Sequence, residues 1–432
     1  MRFVVVTALV LILTLAAAAS ARATLEEEEY LMRTVQRLSA PGMQGRASGT
    51  LGGKLAAHFI ASELRELGLF PLGATETGES ASAYFQYFAL QRPGEAGEAQ
   101  PLVGRNILAW TPGTAAADPA AGCYILSAHY DHLGTASAQG GVRGFYPGAN
   151  DNASGVAAVL AVARRCSLLG QHLPYPVVFA FFDGEEVGLC GAHAFAAQPP
   201  VPLTGAFNLN LDMVGRLEGR PLLAAFSAQM PGWEAGAFHR RLQEAAESLG
   251  LKFELMRHGW EASDQFVFYQ HQVPFLFLFG GPTADYDRTT DTPDKLDYPG
   301  LAGVSAFVWQ LLYALGDPSA YEWVDLGVHE HPRGAPRAFL GAVPDFTAEA
   351  EEGVVIAGTV SGSPAERAGL REGDIILELS GRPVHDLQAL ASILRELKPG
   401  DVVQIVFQRN GAELRASVRL EEKSEDAEET AG

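Results

Sequence analysis

The chain has 432 residues, room for two or three domains at about 100–200 residues each. Hydrophobic residues make up 47 % and charged residues 19 %, enough apolar material for packed cores. A formal net charge of −20 leaves no broad basic patch for nucleic acid and does not suit an anionic membrane surface.

The first segment reads as an export signal. Arg2 gives a short positive region, Phe3 to Ala19 is an apolar run, and Ala19-Ser20-Ala21 and Ala21-Arg22-Ala23 both fit a small-x-small cleavage site. An uncleaved anchor is the alternative, since the run lies near the lower limit for spanning a bilayer. Cleavage at residue 23 predicts a periplasmic or extracellular protein with no stable membrane span. Cys123, Cys166 and Cys190 allow at most one intramolecular bridge and lack zinc-finger spacing, so each reads as a small buried apolar residue.

Glu26 to Leu38 predicts a helix, and Pro41-Gly42 ends it. Gly53 to Leu67 predicts a second helix, with Ala56, Ala57, Ile60, Leu64 and Leu67 on one face. A polar, Gly-rich stretch runs to about Gln100. From Asn106 short apolar runs at Tyr124–Ala128, Val177–Phe182, Phe207–Leu211 and Phe275–Phe279 alternate with helical stretches such as Ala153–Leu169. Such runs suit strands buried on both faces. The alternation predicts an α/β domain over residues 25–316, with a mixed, mostly parallel central sheet flanked by helices. Residues 317–337, with Pro318, Pro332 and Pro336, read as a linker. Residues 338–420 read as a small β-rich unit with one amphipathic helix, and residues 421–432 as an acidic, disordered tail.

The residues that follow the strands carry the chemistry. His129-Tyr130-Asp131-His132 follows the first run, Asp183-Gly184-Glu185-Glu186 the second, and Asp212 the third. In open α/β sheets ligands bind beyond the carboxyl ends of strands. Between the first two runs, Gly148-Ala149-Asn150-Asp151-Asn152-Ala153-Ser154-Gly155 opens a helix. One imidazole among several carboxylates suits zinc, with manganese or cobalt as alternatives. Two such cations sharing a carboxylate polarise a carbonyl and acidify water, and a neighbouring carboxylate takes the proton. Taken singly, each motif is more often a solvated turn or a helix cap. Asn152-Ala153-Ser154 matches a glycosylation sequon, but its place beside Asp151 predicts that it is buried.

These segments, with Gly45-Arg46-Ala47-Ser48-Gly49-Thr50 and Tyr84-Phe85-Gln86, resemble the motif series of the zinc-dependent aminopeptidase family, which also contains glutaminyl cyclases. The resemblance implies two divalent metal ions. His129 and Asp212 would bind the first, Glu186 the second, and Asp151 would bridge them. Glu185 would be the general base, and Asp131 would orient the His129 ring. The family's last ligand is a His. Here Asp285-Tyr286-Asp287-Arg288 puts Asp287 at that position, where it would bind metal through oxygen. Likewise Gln265 stands where a His is expected after Ser263-Asp264. Two other readings therefore stay open: a catalytically degenerate binding protein on a peptidase fold, and a glutaminyl cyclase-type enzyme.

In the C-terminal unit Ser363-Pro364-Ala365-Glu366-Arg367-Ala368-Gly369-Leu370 and Gly373-Asp374-Ile375-Ile376 resemble a PDZ domain of the bacterial protease-associated kind. The resemblance implies capture of an extended peptide, its C-terminal carboxylate held by the loop Phe339, Leu340, Gly341 and Ala342. The sequence as a whole predicts an exported metallo-aminopeptidase acting on peptide substrates.

Overall fold

A computed structural model describes residues 25–73, 82–90, 102–135, 144–168, 173–234, 236–256, 259–327, 338–345, 348, 352–360, 362–385 and 387–422. The export segment at 1–23 and the tail beyond residue 422 lie outside these residues, as does part of the linker.

The N-terminal region is built on a nine-stranded sheet. Its strands are β1 (Phe85–Leu90), β2 (Leu102–Thr111), β3 (Cys123–His129), β4 (Val177–Phe182), β5 (Ala206–Asp212), β6 (Leu222–Phe226), β7 (Phe253–Leu255) and β8 (Phe275–Phe279), with the short edge strand Phe70–Pro71. The spatial order is β2-β4-β3-β5-β8-β6-β7, with β1 and Phe70–Pro71 on the outer side of β2. The centre, β4-β3-β5-β8, is parallel. Strands β1 and β2 pair antiparallel, with Phe85 opposite Ile107. Strand β1 lies within the stretch read in the sequence only as polar and Gly-rich. Edge strand β1 alternates exposed and half-buried residues, a weak pattern to read in sequence.

Alternate residues of the central strands feed two cores, as a period of two requires. Tyr124, Leu126, Ala128, Phe179, Phe207 and Leu209 join the core on one face, with helices α1 (residues 25–38), α2 (Leu51–Glu66), α3 (Gly155–Leu168), α5 (Ala237–Ser248) and α7 (Tyr298–Ala314). Cys123, Ile125, Val178, Ala180 and Phe182 point the other way, toward α4 (Cys190–Ala197) and α6 (Gln265–Gln270). Each parallel strand is thus sealed on both faces. Polar residues inside these strands, Ser127, Asn208 and Asn210, are paired with one another or with backbone, and the carboxyl ends are where polar side chains leave the sheet. The three cysteines are unbridged; Cys123 is buried, whereas Cys166 and Cys190 are only half-buried.

Residues 338–420 form a third, separate core of Leu340, Ile356, Ile376, Leu379, Ile405 and Phe407 among others. Its main sheet runs β9 (Ala342–Pro344), β10 (Val354–Thr359), β11 (Ile375–Leu379), β12 (Val402–Arg409) and β13 (Ala412–Arg419), all antiparallel, with helices α8 (Pro364–Arg367) and α9 (Leu387–Glu396).

Candidate metal centre

Register brings the polar strand ends together. His129, last residue of β3, lies opposite Phe182 of β4, so the Asp183–Glu186 turn leaves the sheet beside it. Asp212 ends β5 on the other side of β3. Asp151 arrives from the turn Ala149–Ser154, which leads into α3 and contains a cis Asp151–Asn152 peptide bond.

The side chains converge. Ligand atoms of His129, Asp151 and Glu186 all lie within 4.8 Å of one another. His129 Nε2 stands 3.3 Å from Asp151 Oδ1 and 3.4 Å from Asp212 Oδ1. Metal bonds of about 2.0–2.2 Å set tetrahedral ligand atoms about 3.3–3.6 Å apart, the spacing His129 Nε2 has to both carboxylates. Asp212 Oδ1 is buried and makes no hydrogen bond among the described residues, as a ligand atom awaiting a cation would. The donor set fits a divalent metal.

The metal-free electrostatics point the same way. Burial opposes charge on His129, but Asp212, Glu185, Asp131 and Asp151 outweigh it and hold its pKa well above the usual value. Burial raises the carboxyl of Glu185 well above its ordinary range; His129 counters this, while Glu186, Asp264 and Asp212 add to it. Asp151 is pulled below its ordinary value despite burial, by His129, His132 and Arg46.

A second tier of residues fixes this geometry. Asp131 accepts from the backbone N–H of Glu185 at 3.1 Å and of Glu186 at 3.4 Å, and from Ser48 Oγ at 3.0 Å. Its carbonyl oxygen is 3.3 Å from His129 Nδ1 and its carboxylate 3.8 Å, so Asp131 orients both the ring and the glutamate turn. Asp291 accepts from the N–H groups of Asn150 and Asp151 at 2.9–3.0 Å. Asn152 is fully buried and spends its amide on Leu211 O, Gly155 N and Met213 N, which closes the sequon to any glycan.

Residues 106–312 match the model of peptidase family M28, and residues 325–420 match that of the PDZ domain. The chain carries an M28 peptidase domain followed by a PDZ domain. YfbL of Escherichia coli K12 is 29 % identical over 222 residues, 44 % of this chain and 66 % of that protein. The Do-like serine protease HtrA of Bacillus subtilis is 36 % identical over 101 residues, 23 % of this chain and 22 % of that one. The alignments thus span a fifth to two thirds of those relatives' lengths. Among solved structures, Porphyromonas gingivalis glutaminyl cyclase aligns with a TM-score of 0.51 at 20 % identity, over 67 % of this chain and 98 % of that one. That likeness is one of fold.

Membership makes the M28 domain a metallopeptidase, a hydrolase built for a divalent cation. Of the ligand positions read in the sequence, His129, Asp151, Glu186 and Asp212 come together. Asp287 sits half-buried on a left-handed residue, φ 57°, in the loop after β8. Gln265 is away from ligand duty: its Oε1 accepts from Asn210 Nδ2 at 2.7 Å and its Nε2 donates to Trp260 O, inside a buried network with Ser263, Ser127 and Asn208.

Three residues went unassigned in the sequence reading. His132 Nδ1 lies 2.7 Å from Glu186 Oε1. The phenol of Tyr286, a residue 42 % exposed as a whole, is held well above its ordinary pKa by burial and by the charges of Asp151, Glu186, Glu185 and Asp212. Arg46, fully buried, donates to the carbonyl oxygens of Tyr130, Leu38, Pro147, Gly148 and Asp151 at 2.6–3.5 Å, tying three segments under the site. The signals were present: a second imidazole three residues after the first, a Tyr beside the aberrant Asp287, and an Arg inside the Gly45–Thr50 signature.

In the PDZ domain the loop Phe339–Ala342 turns on Gly341, φ 78°, where a Cβ would lie 2.2 Å from that of Ser363. Leu340 is buried; its carbonyl accepts from Ala365 N at 2.8 Å, and that of Gly341 from Val360 N at 2.8 Å. Among the described residues β9 pairs on one side only, with β10.

Proposed function

We propose that the chain is an exported exopeptidase that removes N-terminal residues from peptides, with its peptidase unit at 25–316 and its PDZ unit at 338–420. The observation that carries this reading is the convergence of His129, Asp151, Glu186 and Asp212 at one sheet edge, with Glu185 beside them.

When bound, a pair of divalent cations, zinc above all, supplies Lewis acidity that acidifies water and polarises a carbonyl. His129 and Asp212 hold one side of the centre, Glu186 the other, and Asp151 faces both. Asp287 adds an oxygen donor from the loop after β8. Glu185, its carboxyl raised in pKa, takes the proton of the attacking water and returns it to the leaving amine. Asp131 holds the backbone of Glu185 so that this carboxylate meets the scissile bond in one orientation. Tyr286 stays protonated at neutral pH, and its O–H would serve as a donor to a developing oxyanion.

In the PDZ domain the one-sided strand β9 and the Gly341 turn suit addition of a peptide strand ending in a carboxylate.

The test is hydrolysis of leucyl-p-nitroanilide and of its N-acetylated form, before and after chelation. The reading expects turnover of the free-amine substrate alone, lost on chelation and restored by zinc. Equal cleavage of the acetylated compound overturns the aminopeptidase assignment. Absence of turnover across several side chains, with no metal bound, favours a degenerate binding protein.

A further inference from the structure

Asp151 presents its two oxygens to two different imidazoles. Oδ1 lies 3.3 Å from His129 Nε2, and Oδ2 lies 3.9 Å from His132 Nδ1. On the far side of the same ring edge, His132 Nδ1 is 2.7 Å from Glu186 Oε1. A bridging carboxylate therefore has a nitrogen at each end, one paired with Asp212 and the other with Glu186.

From this geometry we infer that His132 Nδ1 is the nitrogen ligand of the cation held by Asp151 and Glu186, supplying the imidazole that the sequence lacks at Asp287. The inference rests on the metallopeptidase reading above and adds a ligand to it.

Two further features support it. The distances of 2.7 and 3.9 Å bracket the edge of about 3.3–3.6 Å expected of tetrahedral ligand atoms. The ring is built in: His132 is buried, Tyr146 meets it edge-on at 6.3 Å, and a Cβ on Gly148 would lie 2.5 Å from its Cδ2. Gly148 has φ 57° and no side chain, so the ring has the space it needs and no freedom beyond it. In the metal-free protein the 2.7 Å contact is an Nδ1–H donated to Glu186. A cation at Nδ1 replaces that proton, and the neutral ring then carries its hydrogen on Nε2.

The competing role is a positioning one, in which His132 only holds Glu186 by that hydrogen bond. His132→Asn separates the two, because the Asn amide reproduces an N–H near Nδ1 but is a poor ligand. Zinc stoichiometry and affinity are read by equilibrium dialysis with elemental analysis of the full chain. The inference expects two ions per wild-type chain, and a second ion bound more than about 100-fold more weakly in the variant, beyond the 10–100-fold typical of residues that only support a ligand. Two ions retained with affinity within about tenfold of wild type overturn it. Proton NMR of the cobalt-loaded wild type needs no variant. Two strongly shifted, exchangeable imidazole N–H signals support His132 as the second ligand, and one such signal overturns it. A wild-type chain that takes up no metal defeats the peptidase reading itself, which is a different result from either.

Discussion

The carboxylate of Asp131 accepts a hydrogen bond from the backbone N–H of Glu185 at 3.1 Å, joining the loop after β3 to the turn after β4. The same carboxylate also receives Glu186 N and Ser48 Oγ. Under the function proposed above, Asp131→Ala therefore releases the proposed general base, Glu185, and a proposed ligand, Glu186, at once. We expect kcat to fall about 100-fold or more, with metal affinity weakened about 10–100-fold. Steady-state kinetics at saturating zinc, with a metal titration, checks both. Loss of affinity alone, with kcat regained at high zinc, would show that Asp131 does not position Glu185.

Arg46 is the tie beneath the site. Its replacement by Met keeps much of the stem's volume but strands the carbonyls of Leu38, Tyr130 and Pro147, which it holds at 2.6–2.9 Å. Burial lowers its pKa only to about 10, so it is charged at neutral pH, and its removal also withdraws a positive charge from Asp151. Arg46→Met should lose roughly 3–5 kcal/mol in denaturant unfolding of the metal-free protein. A loss under about 1 kcal/mol would mean that these carbonyls find other partners.

Gln265 tests the second departure from the family pattern. Because its amide serves Asn210 and Trp260, Gln265→Leu should cost about 2–3 kcal/mol of stability while leaving zinc stoichiometry unchanged. Loss of an ion in a folded Gln265→Leu protein would place this residue in the metal centre instead.

Asp264 is buried, neither of its carboxylate oxygens has a hydrogen-bond partner among the described residues, and burial pushes its pKa up to about 8. A carboxyl whose folded pKa is raised gives stability that is present below the unfolded value, near 4, and is lost as pH rises through the folded one. The metal-free protein should therefore lose stability between about pH 4 and 8, at about 1.4 kcal/mol for each unit between the two pKa values. Asp264→Asn should flatten that slope. Chemical unfolding at several pH values measures it, and parallel slopes for the two proteins would assign the loss to other groups.

The central strands were legible because burial on both faces writes itself as unbroken apolar runs; Val177–Phe182 and Phe275–Phe279 are strands over those very residues. The polar residues after those runs were legible as a site for the same reason, since a polar cluster directly after a buried strand must be used or solvated. What was hidden was of two kinds. Edge strand β1 carries no strong pattern, and its partner β2 begins beside residues read only as polar and Gly-rich. His132 and Arg46 act across gaps of 54 and 84 residues, and the charges that raise Tyr286 lie 74 to 135 residues away, and sequence spacing says nothing about such approaches. Gln265 illustrates the converse: a position marked by resemblance turned out to serve a buried hydrogen-bond network.

The most direct measurement is the rate of leucyl-p-nitroanilide hydrolysis by zinc-loaded wild type and Glu185→Gln, with zinc content determined on the same samples. The expected result is equal zinc in both proteins and a kcat lower by about 10²–10⁴ in the variant. Equal rates in the two proteins, or no hydrolysis by a zinc-loaded wild type, would contradict a peptidase centre that works through Glu185.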